Sequence, residues 1–278
     1  MNFVSRAYIC LVLCCCGAVA GDENLTIRFG IAPFSSAASI VKTHRPLRDY
    51  LSERLSSSVV IYTSVNHEAF LNDGLENRFD LIATPAHFAP FFIEKGFVPL
   101  VKYKTPLDLI FVVRNDSAIA KISDLKGKRV GIPDYLSLYY VVGARWLNEH
   151  KAQIGDYAQV REPGHAAAIS SVAAGKIDAA ITGTPPFTLT AASFRSRLKA
   201  IEFEKVELPS LITMAHQSLG EETIAKLQAA LKAFHTTKEG EEFFHFMGYD
   251  GYLTVTPSDI ESANAFRPYV EQALKDNR

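Results

Sequence analysis

Leu107 to Arg114 reads LDLIFVVR, and Leu208 to Met214, about 100 residues later, reads LPSLITM. Both are strand-like apolar runs, and both interrupt a rhythm of shorter strands and amphipathic helices. A chain that leaves one packed unit and later returns to it needs two crossings, and these two runs are read as the hinge strands. The expected organisation is a first lobe from residues 21–113 plus 205–278 and a second from 114–204, preceded by a targeting segment over 1–20. No low-complexity linker marks the joints, which fits short hinge strands better than independent domains.

Outward from the crossings, strand and helix alternate. Leu25–Gly30, Val59–Tyr62 and Asp80–Ala83 read as strands before the first crossing, and Arg129–Ile132, Gln159–Arg161 and Ala179–Thr182 after it. Helices are expected at Pro46–Leu55, Leu138–His150, His165–Ala174, Glu221–Thr236 and Ser258–Asp276. Pro46 suits a first helical position, where a missing N–H costs nothing. The fold class is therefore α/β: mainly parallel sheets with helices on both faces.

Composition supports a globular chain. Of 278 residues 48% are hydrophobic, and 29 Lys+Arg face 30 Asp+Glu, so no charge excess argues for nucleic acid or a membrane surface. Ala7 to Ala20 (AYICLVLCCCGAVA) is an uncharged run too short to span a bilayer. It ends in Ala18-Val19-Ala20 before a polar stretch, as a cleaved secretory signal does. Cys10, Cys14, Cys15 and Cys16, the chain's four cysteines, all lie within it. Cleavage after Ala20 leaves a periplasmic or exported chain with neither disulfides nor a cysteine metal site. Lipidation of a cysteine here is the alternative, and Leu13 before Cys14 is a poor match to the small residue that modification wants.

The loops after successive strands are rich in small and hydroxylated residues. They run Pro33-Phe34-Ser35-Ser36, Thr84-Pro85-Ala86-His87, Tyr135-Leu136-Ser137-Leu138-Tyr139, Pro163-Gly164-His165 and Thr182-Gly183-Thr184-Pro185. In open α/β sheets ligands bind beyond the carboxyl ends of the strands, where helix N-termini also point. A Ser or Thr there is most often an N-cap. Several such loops at one sheet edge argue for a cleft in which N–H groups and hydroxyls hold a small anion. The candidate ligand-binding residues are Ser35, Ser36, Thr84, Ala86, His87, Tyr135, Ser137, Tyr139, His165, Thr182 and Thr184.

Several segments resemble, in order, the phosphate/phosphite/phosphonate-type solute-binding proteins of ABC importers. They are Phe29–Phe34 with Pro46–Leu51, Phe79–Ala86, Val113–Ile119 leading into Ser123–Gly131, Gly175–Ala180 and Gly248–Tyr252. The resemblance spans nearly the whole chain beyond the signal. It implies the type II periplasmic-binding-protein fold, with two lobes closing by hinge bending on a ligand cleft. By the same resemblance Thr84 and Ala86 match the turn after the third strand. Ser137 and Tyr139 match the segment that holds phosphonate oxygens. Leu138 departs from the family pattern, which has glycine there, and the acidic residues that hold an aminoalkyl group have no clear match. Phe187, Tyr139 and Tyr135 are expected to wall a flatter or more apolar ligand.

No histidine pair has metal-helix spacing, and neither a nucleophile elbow nor a phosphate-cradling or dinucleotide loop occurs, so no cofactor and no catalysis are expected. The expected function is an exported monomeric binder that captures a small oxyanion and delivers it to a membrane ABC permease. A periplasmic ligand sensor partnering a membrane receptor or kinase is the alternative. A pyrimidine-precursor synthase shares the fold, but such an enzyme needs a reactive His or Lys, and export argues against it.

Overall fold

The computed structural model describes residues 26–149, 157–202 and 207–276, so the expected targeting segment lies outside the described residues. The chain opens with β1 (Thr26–Ile31), α1 (Ala37–Leu55), β2 (Ser58–Tyr62), α2 (His67–Leu75), β3 (Leu81–Pro85), α3 (Ala89–Ile93) and β4 (Phe97–Tyr103). After a crossing come β5 (Leu109–Arg114), β6 (Arg129–Ile132), α4 (Leu138–Glu149), β7 (Ala158–Arg161), α5 (His165–Ala173) and β8 (Ala179–Gly183). Two short helices, α6 (Thr184–Thr188) and α7 (Ala192–Arg195), lead to β9 (Leu198–Glu202). The return adds β10 (Leu211–His216), α8 (Glu221–Phe234), α9 (Lys238–Met247), β11 (Tyr252–Thr254), α10 (Pro257–Asn264) and α11 (Arg267–Asp276).

These strands build two sheets, ordered β11-β4-β10-β3-β1-β2 and β7-β6-β8-β5-β9. Each sheet is mixed. β1 runs parallel to β2 and β3, and β6 parallel to β7 and β8, as the βαβ reading requires. β10 pairs antiparallel with β3 and β4, and β5 antiparallel with β8 and β9. The reason lies in the crossings. The βαβ strands run toward the junction between the sheets, whereas β5 and β10 arrive from it and therefore run the other way.

The two long apolar runs accordingly do more than cross. Only their first residues span the junction: Pro106 and Pro209 form an isolated antiparallel bridge, and the Leu107 N–H donates to the Leu208 carbonyl at 2.9 Å. The rest of LDLIFVVR is β5, buried from Leu109 to Val113 within the second sheet, and β10 is an interior strand of the first. Both faces of such strands are covered, which explains why they read as unbroken hydrophobic runs.

Two helix expectations are corrected. Pro46 lies inside α1, not at its start, because Ser36 caps the helix ten residues earlier, its Oγ accepting from the Ser39 N–H at 3.3 Å. The stretch expected as one helix over Ser258–Asp276 is two, capped anew at Thr256 and broken between Asn264 and Arg267. The C-terminal pair also clasps both lobes. Arg145 of α4 stands over the Phe266 ring at 5.0 Å, and Arg267 stands over Phe91 at 4.7 Å.

One buried cluster runs from Phe70, Phe88 and Phe92 of the first lobe to Phe111, Ile132 and Leu138 of the second. A separate one fills the far side of the first sheet, where Tyr103, Phe234, Phe243 and Phe244 meet edge to face or tilted. Each such ring contributes about 1.5–3 kcal/mol by leaving water. The lobes thus share a continuous apolar contact around the junction, and it holds the loops beyond the strands face to face.

Candidate functional site

A cavity of about 220 Å³ lies where the carboxyl ends of β1, β3, β6, β7 and β8 converge. It is many times the roughly 10–15 Å³ that a single water needs. First-turn residues of three helices line it: Ser39 of α1, Leu138 and Tyr139 of α4, and His165 and Ala166 of α5. No intrahelical acceptor exists for the first N–H groups of a helix, and each helix start carries roughly half a positive charge. No Lys, Arg, Asp or Glu lines the cavity among the described residues.

The turn Asp134–Tyr139 is held from within. Asp134 Oδ1 accepts from the Leu136 N–H at 2.8 Å, and its carbonyl accepts from the Ser137 N–H at 3.0 Å. Ser137 Oγ then accepts from the Tyr140 N–H at 3.2 Å, which makes Ser137 the cap of α4 and leaves its hydroxyl proton free to donate. The outer end of the Tyr139 ring packs against Gly183: a Cβ added there would sit 2.2 Å from a ring carbon, so a larger residue would push the buried ring out of place. The Tyr139 and Tyr249 hydroxyls hydrogen-bond one another, and burial pushes the Tyr139 phenol well above its ordinary range.

His165 is 5% exposed, and its Nδ1 lies 2.9 Å from Thr182 Oγ1. Burial pulls its imidazole down to about 3, so it is neutral at physiological pH and lines the cavity as a hydrogen-bonding group, not a charge. His67, at the start of α2, also lines the cavity and bonds Asp134 of the other lobe through Nδ1 at 3.0 Å. Burial pushes the Asp134 carboxyl up, but bonds from His67 and the Leu136 N–H outweigh it and hold it below the usual carboxylate range.

Of the residues expected from sequence, Ser35, Ser137, Tyr139 and His165 line the cavity. Thr182 stands behind His165. Ser36 caps α1, and Thr184 opens α6 with its N–H on the Asp108 carbonyl at 3.4 Å. Thr84 and Ala86 are fully buried, with Thr84 Oγ1 donating to the Pro85 carbonyl at 3.3 Å. His87 is fully buried between the lobes, Nε2 donating to the Leu136 carbonyl at 2.9 Å, and burial pulls it down to about 3. Tyr135 donates to Glu68 across the junction and lies under the Arg161 guanidinium at 4.9 Å. Phe187 packs against the core beside β5 and β8 and is not a cavity wall.

Sequence reading passed over Ser39, Thr43, His67, Leu189, Ser210, Phe246 and Tyr249, all of which line the cavity. Two signals were present. Ser39 and Thr43 are four residues apart and so share one face of α1, with Ser35 just before its cap. In Phe243-Phe244-His245-Phe246-Met247, Phe246 is out of phase with the buried set and stays 58% exposed. Among the described residues no group of three His, Cys, Asp or Glu is placed to hold a metal, and no helix is long and apolar enough to cross a membrane.

Comparison with known proteins agrees with this architecture. The family profile described as ABC transporter, phosphonate, periplasmic substrate-binding protein matches residues 29–260. A binding protein component of an ABC phosphonate transporter from Pseudomonas aeruginosa superposes with a TM-score of 0.78 at 14% identity, over 92% of this chain and 90% of that one. PhnD1 from Prochlorococcus marinus, solved with methylphosphonate, gives 0.77 at 15% identity, over 89% and 98%. The periplasmic aliphatic sulphonate binding protein SsuA from Escherichia coli gives 0.64 at 17% identity, over 91% and 87%. At these identities the structural matches establish the type II binding-protein fold.

Proposed function

The chain belongs to the family of periplasmic substrate-binding proteins of ABC phosphonate transporters, and from that premise we propose that it captures a phosphonate-type oxyanion in the interlobe cavity and hands it to an ABC permease. The observation that carries this reading is the convergence of the first turns of α1, α4 and α5 on a cavity without a charged wall. Three helix starts at roughly half a charge each offset about one and a half negative charges. That suits an anion between one and two charges without a cation beside it. Donors to the oxyanion are the Ser137, Ser39 and Ser35 hydroxyls, the helix-start N–H groups and the His165 imidazole. Closing the lobes strips water from these groups and strengthens each bond. Ligand bound between the lobes stabilises the closed form, and that form is the one a permease distinguishes from the empty protein.

Titration calorimetry of the purified protein with methylphosphonate, phosphate and a carboxylate of similar size tests the binding step. Saturable one-to-one binding of a phosphorus oxyanion, with none of the carboxylate, is expected. No heat with any phosphorus oxyanion overturns the reading. Delivery is tested by uptake of the bound compound in cells with and without this protein, and equal uptake overturns that half.

A further inference from the structure

The cavity has two unlike ends. One carries the helix starts and hydroxyls already described. The other is built where α9 of the first lobe abuts α6 of the second: a Cβ placed on Gly248 would lie 3.5 Å from Pro185 Cβ. Phe246 and Met247 line that end from one side, and Pro185, Pro186 and Leu189 from the other. Phe246 and Leu189 remain 58% and 40% exposed, large apolar side chains that the protein's own core does not use. Among the described residues no carboxylate lines the cavity to receive an ammonium group.

Resting on the oxyanion reading above, we propose that the ligand is a phosphonate carrying an uncharged hydrocarbon substituent, with Phe246 and Leu189 as the residues that read the substituent. Two physical effects select it. Each methylene moved from water into this end contributes about 0.8 kcal/mol, close to a fourfold gain in affinity. An ammonium on the same chain enters a cavity with no acidic partner and loses its hydration uncompensated. The two residues come from opposite lobes, so the substituent is gripped only when the lobes close on it.

The test is a calorimetric series on the purified protein with phosphate, methylphosphonate, propylphosphonate and 2-aminoethylphosphonate. Propylphosphonate is expected to bind about tenfold or more tightly than methylphosphonate, and 2-aminoethylphosphonate more weakly than propylphosphonate by at least that factor. Phe246→Ala and Leu189→Ala are expected to reduce propylphosphonate affinity several-fold and methylphosphonate affinity by less, so that the preference between the two shrinks. Equal affinity across the substituents, or preference for the amine, overturns the substituent class while leaving the oxyanion site standing. Substitutions that weaken both alkyl ligands equally remove Phe246 and Leu189 from the reading role. If no member of the series binds, the oxyanion reading and this inference fall together.

Discussion

Asp134, just beyond β6 of the second lobe, lies 3.0 Å from Nδ1 of His67 at the start of α2 in the first. The same carboxylate accepts the His67 backbone N–H at 3.2 Å and, through its other oxygen, the Leu136 N–H at 2.8 Å. One side chain therefore both shapes the turn that caps α4 and clasps the opposite lobe. Tyr135 to Glu68 and His87 to the Leu136 carbonyl lie on the same junction. Asp134 is 16% exposed in its side chain, so its bonds are shielded from solvent.

Asp134→Ala is expected to loosen closure. Losing buried bonds to a charged acceptor costs about 1.5–3 kcal/mol; the share carried by the two His67 bonds falls on the closed form alone, and the share carried by the Leu136 N–H falls on the turn itself. The apparent affinity for methylphosphonate should fall about tenfold, and the ligand-free radius of gyration measured by small-angle scattering should rise. Unchanged scattering and unchanged affinity would exclude this clasp from the closing equilibrium.

Ser137 has two roles that substitution can separate. Ser137→Ala removes the cap of α4, at about 0.5–2 kcal/mol, together with a ligand hydroxyl. Ser137→Asp restores the cap and favours the helix dipole, yet sets a carboxylate against the bound anion. Urea unfolding should show the Ala variant destabilised and the Asp variant near wild type. Calorimetry should show oxyanion binding weakened in the first and abolished in the second. Retained binding by Ser137→Asp would mean that the anion sits elsewhere.

Acid stability is governed by three buried imidazoles. Burial pulls His44 down to about 4, and His87 and His165 to about 3, from an ordinary 6.5. Below about pH 6.5 the unfolded chain takes up protons that the folded chain refuses, so stability is full above that pH and falls as pH drops. Each group contributes a slope of about 1.4 kcal/mol per pH unit over that window. Asp80, Asp134 and Asp259, whose carboxyls are held below their ordinary range, act in the same direction at lower pH. The urea midpoint should hold steady above about pH 6.5 and fall steeply toward about pH 4.5. His44→Gln, which keeps a donor for the Ile40 carbonyl that His44 Nδ1 contacts at 3.0 Å, should flatten the slope by about a third. A midpoint constant down to about pH 5 would rule out neutral burial of these rings.

Much of the architecture was legible because its causes are short in range. The alternation of strands with capped amphipathic helices follows from side-chain period and local hydrogen bonding, and the two unbroken apolar runs marked the strands next to the junction. Ser137 was legible as a cap for the same reason. Pro46 misled because a proline is compatible with a helix start, while the actual start was set by Ser36 and by the buried face of Ile40, His44, Leu47 and Leu51.

The sequence by itself determined a two-lobed α/β chain with hydroxyl-rich loops beyond its strands, since each of those features depends on neighbours a few residues away. Which hydroxyls reach the cavity was decided by tertiary structure alone. Thr84 and Ser137 follow strands in the same way. Thr84 is turned into the core where β10 pairs with β3, whereas Ser137 faces the cavity because Asp134 anchors its turn to the other lobe. His67, Phe246 and Leu189 enter the site only because two sheets separated by a crossing are held face to face, bringing together residues as far apart in the chain as His67 and Asp134, which no local pattern encodes.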